Sequence, residues 1–178
     1  MSAPAAPLEI RAATPADAAV LTRLGARLFE QAFGADNSPE DMHAYLAVAF
    51  TEERQRQELE DPGSRVWVAL APDSEEPLGY AHVRRAPGPA PVRARRPAEV
   101  ARFYVDRAWH GRGVANALMD ACLAQADAWE CDGVWLGVWQ SNARAIAFYE
   151  RRGFRKVGTQ SFLLGRDRQM DWVMERTG

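Results

Sequence analysis

The segment from Ala101 to Gly153 constrains the fold of this chain more than any other part of it. It is typical of a strand, a glycine-containing turn, a helix, a second strand and a second helix. The first strand, Ala101–Val105, is rich in β-branched and aromatic residues and is followed by polar residues. The second, Gly133–Val138, is almost continuously apolar, as expected for a strand that is buried on both faces. We therefore expect an α/β domain in which the remaining elements pack around this segment.

The turn after the first strand has the composition of an anion-binding site. Residues 110–115, His-Gly-Arg-Gly-Val-Ala, lead without a proline into a predicted helix over Asn116–Cys131. The first N–H groups of a helix have no partner within it, and the helix dipole adds partial positive charge there. Gly113 and Ala115 leave the backbone open to a phosphate, and Arg112 offers a charged donor. Taken alone, a purely structural turn explains the two glycines equally well.

The helix after the second strand carries an asparagine and a tyrosine on one side. Ser141 or Asn142 is predicted to cap its start, and Gly153 is predicted to end it in the left-handed conformation, followed by Phe154 as a hydrophobic contact. The spacing from Asn142 to Tyr149 is about two helical turns, which points both side chains roughly the same way, about 10 Å apart along the axis. One ligand can therefore contact both.

These two segments resemble the sequence blocks of the GNAT superfamily of N-acetyltransferases, which use acetyl-coenzyme A. The pyrophosphate loop of that family has the pattern Gln/Arg-x-x-Gly-x-Gly/Ala, and residues 110–115 match it except that His110 takes the first position. Because the loop acts mainly through backbone N–H groups, this departure should cost little. The later block, Asn-x-x-Ala-x-x-Phe-Tyr-x-x-x-Gly-Phe, is complete in Asn142, Ala145, Phe148, Tyr149, Gly153 and Phe154.

The resemblance implies a fold and a set of site residues. The fold is a mixed, mostly antiparallel sheet with helices on both faces, in which two parallel strands separate to form the coenzyme cleft. There the Val105 N–H is expected to donate to the thioester carbonyl, and Tyr149 to protonate the departing thiolate. Asn142 is expected to hold the coenzyme. The other implied coenzyme-binding residues are Phe103, Tyr104, Gly111, Arg112, Gly113, Val114, Ala115 and Asn116.

Acetyl transfer also requires a neutral amine. A primary amine with a pKa near 10.4 is neutral in about one molecule in a few thousand at pH 7, so a base or a water chain must help. Glu99, at the entry to the first central strand, is the candidate base, acting through water. An ordinary strand-end carboxylate explains Glu99 as well, and a core aromatic residue with its hydroxyl at the surface explains Tyr149.

The composition favours one domain and excludes some partners. The chain has 178 residues, 47% of them hydrophobic, which suits a single domain over residues 9–178 after a loose leader over residues 1–8. A net charge of −2 does not suggest nucleic-acid binding. The leader has no basic start, and no stretch approaches the about 18 apolar residues of a membrane span, so we expect no membrane partner and a cytoplasmic location.

No metal site is predicted. Cys122 and Cys131 lie in the predicted central helix or at its end without the spacing of metal ligands, and are interpreted as reduced core thiols. The three histidines, His43, His82 and His110, form no spaced cluster and are interpreted as structural or surface residues.

The rest of the chain is predicted to complete the sheet and to shape the acceptor site. Helices between the first two strands form part of the acceptor wall in the family that the chain resembles. The Pro/Arg-rich segment Ala86–Pro97 is interpreted as a solvated loop, with a flap over the acceptor or a contact to the coenzyme phosphates as alternatives. Strands are expected over residues 10–12, 65–70, 78–83, 155–164 and 169–176, and helices over 14–34, 38–50 and 51–60.

The predicted acceptor is a primary amine, with a polyamine or another small amine as first choice. Outer segments, residues 41–50, 58–62, 162–165 and 169–174, resemble the PaiA-like branch, which is associated with polyamine acetylation. The alternatives are a protein N-terminal or lysine acetyltransferase and a non-catalytic acyl-coenzyme A-binding regulator. A homodimer is compatible with such families. A polycation would be repelled by arginines facing the cleft (Arg84, Arg85, Arg93, Arg95, Arg96) and attracted by acidic residues (Glu30, Asp36, Glu40, Asp41).

Overall fold

One seven-stranded sheet organises the computed structural model, which describes residues 7–178. The predicted leader, residues 1–8, lies almost entirely outside the described residues. The strands are β1 (Glu9–Ala12), β2 (Ser64–Leu70), β3 (Pro77–Arg85), β4 (Pro97–Val105), β5 (Gly133–Trp139), β6 (Arg155–Leu164) and β7 (Asp167–Thr177). Their order is β1-β2-β3-β4-β5-β7-β6, and β4 and β5 form the parallel pair in this otherwise antiparallel sheet.

Helices cover both faces of the sheet, as predicted. The longer helices of the described chain are α1 (Ala18–Phe33), α2 (Pro39–Ala49), α3 (Glu52–Glu60), α4 (Val114–Ala128) and α5 (Ala143–Arg151). On one face, α4 and α5 contribute Leu118 and Ile146 to one core cluster. On the other, α1 and α2 contribute Leu28 and Met42 to a second cluster. These surfaces are called the α4–α5 face and the α1–α2 face below.

The helices begin where their capping residues stand. Ser38 and Thr51 each accept a hydrogen bond at 3.2 Å from the backbone N–H three residues later. Asn142 caps α5 in the same way, with its side-chain oxygen 3.2 Å from the N–H of Ala145, which decides between the two predicted caps. Gly153 follows α5 with a φ of 88°, in the left-handed conformation that was predicted for it.

The two central strands separate after three pairs, which confirms the predicted cleft. β4 and β5 pair from Pro97 opposite Gly133 to Glu99 opposite Trp135, and no further pair is present between them in the described chain. The separation coincides with a bulge at Ala101, where the register of β4 against β3 shifts by one residue. A bulge bends and twists its strand, and this one turns the second half of β4 away from β5.

Several predicted boundaries were wrong; β3, for example, ends at Arg85 rather than at residue 83. The first central strand begins at Pro97 rather than Ala101, since proline is tolerated as the first residue of a strand, and Glu99 is therefore inside it. Helix α4 ends at Ala128 because Glu130 takes a left-handed φ of 57°, so Cys131 lies beyond the helix. The final strand begins at Asp167 rather than at residue 169.

Two kinds of feature are absent from residues 7–178. No helix there is long and apolar enough to cross a membrane. No group of three or more His, Cys, Asp or Glu side chains there is arranged to hold a metal ion. Cys122 and Cys131 are both free thiols, and Cys122 is buried.

Candidate active site

The gap between β4 and β5 exposes backbone donors. The Asp106 N–H donates to the Leu78 carbonyl on the β3 side at 2.8 Å. Because N–H groups alternate between the two edges of a strand, those of Phe103 and Val105 point away from β3 and into the gap. The described part of β5 provides no strand partner for them. An extended ligand can therefore hydrogen-bond to this edge, as an added strand would.

The Tyr104 N–H does not point into the gap, unlike those of Phe103 and Val105. The same alternation directs its N–H towards β3, where it pairs with Tyr80. Its ring packs into the core cluster of the α1–α2 face, whereas Phe103 packs on the α4–α5 face. Tyr104 thus offers an aromatic surface on the acceptor side rather than a backbone donor in the gap.

The glycine turn leaves open space before α4. Gly111 and Gly113 have φ values of 75° and 83°, and a Cβ atom at either position would meet nothing within 4 Å. Gly113 is the N-cap of α4, and buried Val114 fixes the first helical residue in the core. The N–H groups of the first turn of α4 therefore face an open concavity, which fits a diphosphate. The Arg112 guanidinium lies over the Trp109 ring, 5.0 Å from its centroid.

His110 ties this turn to the end of β4. Its Nε2 lies 3.0 Å from the Val105 carbonyl oxygen, which also faces the gap. A carbonyl only accepts hydrogen bonds, so the geometry assigns the proton to Nε2. Nδ1 is buried and has no partner within the described residues. The position at which the sequence departs from the family pattern is therefore a structural link between turn and strand.

Tyr149 lies beside the gap on the α4–α5 face. Its ring packs edge-on against Phe103 and Phe154, with centroids 6.1 and 5.9 Å apart. Burial, and then the nearby Cys122 thiol, raise the pKa of Tyr149 above the usual range. The phenol therefore keeps its proton at neutral pH, as a general acid requires. Asn142 begins the same helix with its oxygen used in the cap, so its amide NH₂ remains as a donor.

Aromatic residues line the gap on the α1–α2 face. The Phe33 ring at the end of α1 lies 6.3 Å from the Tyr104 ring and 6.3 Å from the Trp139 ring, nearly perpendicular to both. It therefore bridges the two separated strands. Burial, and then neighbouring phenols that include Tyr149, raise the pKa of Tyr104 well above its usual range. Tyr149 and Tyr104 therefore flank the gap from opposite faces of the sheet.

Comparison with known proteins identifies the family. The profile described as "Acetyltransferase (GNAT) family" matches residues 27–154. The chain belongs to the GNAT acetyltransferase family. An uncharacterised N-acetyltransferase of Mycobacterium tuberculosis is 34% identical over 160 residues, which cover 90% of this chain and 97% of that protein. This GNAT protein is therefore an N-acetyltransferase, and structural neighbours with the same fold were solved in complex with coenzyme A or acetyl-coenzyme A.

Two further relatives differ in what they show. A spermine/spermidine N(1)-acetyltransferase of Bacillus subtilis is 29% identical over 62 residues, only 34% of this chain and 41% of that protein. The crystal structure of the PaiA N-acetyltransferase of Thermoplasma acidophilum in complex with coenzyme A superposes with a TM-score of 0.76. It covers 97% of this chain and 99% of that chain at 16% identity. The structural similarity establishes the GNAT fold.

Glu99 lies on β4 of this GNAT protein before the strands separate. Its carboxylate accepts a hydrogen bond from Arg84 Nε at 2.6 Å, and 14% of its side chain is exposed. The bulge at Ala101 stands between Glu99 and Phe103, the first free donor in the gap. A role as base therefore needs intervening water, and it stays a prediction.

The arginine-rich loop is fixed at the far end of the sheet. The N–H groups of Arg93–Arg96 donate to the carboxylates of Glu175 and Asp132 at 2.7–3.1 Å. The coenzyme turn lies beyond the other end of β4, a strand of nine residues that spans about 30 Å at 3.3 Å per residue. This distance argues against a contact to the coenzyme phosphates, the four anchored N–H groups oppose a flap, and both alternatives stay predictions.

His82 is a structural histidine, as predicted. It is 2% exposed and its Nε2 hydrogen-bonds to Ser64 Oγ. Burial, and then the charge of Arg102, lower its pKa to about 3. Arg102 is itself held by Glu58 through two hydrogen bonds of 2.7 and 3.1 Å. This network joins α3 to the sheet and lies beneath the α1–α2 face.

Sequence reasoning did not single out Phe33, Trp139 and Asp171, which lie on the α1–α2 face of the sheet. Asp171, on β7, is directly opposite Trp139 across the β5–β7 pair. It is only 9% exposed, and burial raises its pKa to about 6. The sequence did contain a signal for Asp171. In an alternating strand Asp171 lies on the same face as Val173, so burial of that face also buries a carboxylate, which is unusual.

Proposed function

We propose that this GNAT protein acetylates a primary amine, a polyamine or another small amine, by direct attack of the amine on the bound thioester. The observation that supports it is the gap between β4 and β5, with free backbone donors at its edge, a protonated phenol on one face and an aromatic-lined space on the other. Acetyl-coenzyme A supplies an acetyl group activated as a thioester.

Backbone groups would hold most of the coenzyme. The turn Gly111–Val114 and the following first turn of α4, with Ala115 and Asn116, present N–H groups suited to the diphosphate. Arg112 adds positive charge after moving from its position over Trp109. The free N–H group of Phe103 suits a carbonyl oxygen of the pantetheine arm, and that of Val105 suits the thioester carbonyl. Asn142 adds an amide donor beside them.

Three protein groups would carry the chemistry. As the amine nitrogen bonds to the carbonyl carbon and the C–S bond breaks, Tyr149 gives its proton to the sulfur. The N–H group of Val105 stabilises the negative charge that develops on the carbonyl oxygen. The nitrogen loses one proton through water to Glu99, which is the proposed base. Glu99 then releases its proton to solvent and Tyr149 regains one from solvent, so both groups return to their starting states.

The charge distribution supports a cationic acceptor. Arg84 is paired with Glu99, and Arg85 lies over the Trp129 ring, 5.6 Å from its centroid. The arginines of the anchored loop are at the far end of β4. Glu30, in contrast, lines a groove between α1 and α2. Repulsion of a polycation, which the arginine content suggested, is therefore weak on the acceptor side.

A turnover screen tests this proposal. Release of coenzyme A thiol is measured with polyamines, aminoglycosides, amino acids and peptides, and we expect the small amines to give the highest kcat/KM. A preference for peptides would support a protein acetyltransferase instead. Binding of acetyl-coenzyme A without turnover of any amine would support a non-catalytic regulator. The cytoplasmic location and the homodimer stay predictions.

A further inference from the structure

Asp171 is a buried carboxylate that faces the acceptor side of the gap. Asp171 on β7 pairs with Gln160 on the neighbouring strand β6. Phe162 lies two residues after Gln160, and its ring packs in the core cluster of the α1–α2 face. Alternate residues of a strand share a face, so Asp171 belongs to that face too. Within residues 7–178 its carboxylate has no hydrogen bond and no ion pair, and the residue as a whole is 9% exposed.

The surroundings of Asp171 are formed by the Gln160 amide and by aromatic rings. Gly137, on β5, is exposed, and a Cβ there would lie 3.2 Å from Asp171 Oδ2 and still closer to Gln160 Nε2. The carboxylate therefore leans over a stretch of β5 that has no side chain. Trp139 is its direct neighbour across the strand pair, and Phe33 lies edge-on to Trp139. Aromatic faces beside a carboxylate suit an organic cation.

No positive side chain of the described protein neutralises Asp171. Arg102, the buried cation of the same core, is engaged by Glu58 in two hydrogen bonds. Tyr45 from α2 is the titratable neighbour, and Asp171 contributes to raising its pKa. A buried carboxylate without a partner destabilises a fold, and groups of this kind cluster at functional sites.

The chemistry of the reaction limits which cation Asp171 can bind. A carboxylate stabilises the protonated form of an amine beside it, whereas the amine that attacks must be neutral. Asp171 is therefore unsuited to the reacting nitrogen. We infer that Asp171, with Trp139, binds a second cationic group of the acceptor, which makes the preferred substrates compounds with two amino groups. This inference rests on the proposed amine acetylation and defines its substrate class.

The geometry agrees with a short diamine. β5 lies between Asp171 and the gap in which the neutral amine would react. Neighbouring strands are about 4.8 Å apart, so two strand spacings place the two amino groups on the order of 5–10 Å from each other. A linear chain of a few methylene groups spans that distance.

A pair of matched acceptors tests the inference. The probes are 1,4-diaminobutane and n-butylamine, which have the same carbon chain and differ by one amino group. We expect wild type to show a KM for the diamine at least 10-fold below that for the monoamine. Asp171→Asn should raise the KM for the diamine about 10- to 100-fold with kcat nearly unchanged, and should leave the monoamine unaffected. Asp127→Asn, which removes an exposed carboxylate on α4, is the control and should change neither.

Each other outcome has a distinct meaning. Equal loss with both amines, or a loss in kcat at unchanged KM, would overturn the inference and assign Asp171 to proton transfer or to folding. Thermal unfolding of wild type with coenzyme A present gives a readout without turnover. 1,4-Diaminobutane should raise its Tm at pH 8 and should not raise that of Asp171→Asn. If 1,4-diaminobutane raises the Tm of wild type but no amine is acetylated, the proposed activity fails and the cation site stands. If diamines are acetylated and the Asp171→Asn variant acetylates them equally well, the proposed activity stands and the cation site fails.

Discussion

His110 Nε2 donates a hydrogen bond to the Val105 carbonyl oxygen over 3.0 Å, so the first residue of the coenzyme turn holds the last residue of the strand beside the gap. The Val105 carbonyl and N–H share one strand edge. A side chain that fixes the carbonyl therefore also orients the donor expected to bind the thioester. The family pattern permits glutamine or arginine at this position, and all three side chains can donate a hydrogen bond.

Loss of this link should weaken coenzyme binding. One hydrogen bond contributes about 1 kcal/mol, which corresponds to about a 5-fold change in affinity. We expect His110→Ala to raise the Kd for acetyl-coenzyme A by roughly that factor in calorimetry, and His110→Gln to remain close to wild type because its amide can donate to the same carbonyl. Equal losses in both variants would show that the ring itself, rather than its hydrogen bond, matters.

Removal of the Tyr149 hydroxyl should affect turnover and spare binding. General acids contribute about 10²- to 10⁴-fold, so Tyr149→Phe is expected to lower kcat about 100-fold or more, with the Kd for acetyl-coenzyme A within about 2-fold of wild type. Steady-state kinetics and calorimetry provide the two numbers. Unchanged kcat would remove the acid role from Tyr149.

Tyr80→Phe is the matched control for this change. The Tyr80 hydroxyl is buried on the other face of the sheet and has no hydrogen-bond partner among residues 7–178. Its removal should leave kcat unchanged and raise the Tm, because an unsatisfied buried polar group costs about 1–3 kcal/mol.

The parts of the site that the sequence predicts are set by local chemistry. Gly153 takes the positive φ that was predicted for the residue after a helix end, and Gly111 and Gly113 in the turn before α4 also take positive φ values. Asn142 caps the helix that carries Tyr149, and the two are placed by helical periodicity alone. Such features depend on a few neighbouring residues, so the chain order suffices to find them.

The residues on the α1–α2 face of the gap could not be predicted from neighbouring residues in the sequence, because strand register and the packing of distant elements bring them together. Phe33 meets Trp139 across the sheet through the packing of α1, and no local pattern encodes that contact. Asp171 reaches the site only because β7 inserts between β5 and β6, an order that departs from the chain order. The boundary of β4 was also missed, because the bulge at Ala101 hides its first half from a simple alternating pattern.

Two variants distinguish the proposed role of Glu99 as base from its ion pair with Arg84. We expect Glu99→Gln to lower kcat about 100-fold at pH 7 and to recover part of it at higher pH, where more of the amine is neutral in solution. Arg84→Gln removes the partner and keeps the carboxylate, so it should retain most of the activity. The measurement is kcat as a function of pH for Glu99→Gln, Arg84→Gln and wild type. Identical profiles for Glu99→Gln and wild type would show that water alone accepts the proton.

The stability of the protein should report the state of Asp171 independently of activity. Burial raises the pKa of Asp171 from 3.8 to about 6, so the folded state binds its proton more tightly than the unfolded state does. Between these two pKa values a rise in pH therefore removes stability, and the loss is complete above about pH 7. At 1.4 kcal/mol per pKa unit, its upper bound is about 3 kcal/mol.

Asp171→Asn should remove that loss, since asparagine has the same shape and no charge. We expect its Tm to exceed that of wild type at pH 8 and to equal it at pH 3.5, where Asp171 is protonated in the folded protein. His82, whose pKa is lowered to about 3, destabilises both proteins alike as pH falls below its ordinary value of 6.5, so the comparison must be made at each pH. Asp127→Asn controls for the change in net charge. A lower Tm for Asp171→Asn at pH 8 would mean that the carboxylate stabilises the fold, and the case for a cation site at Asp171 would lose its energetic basis.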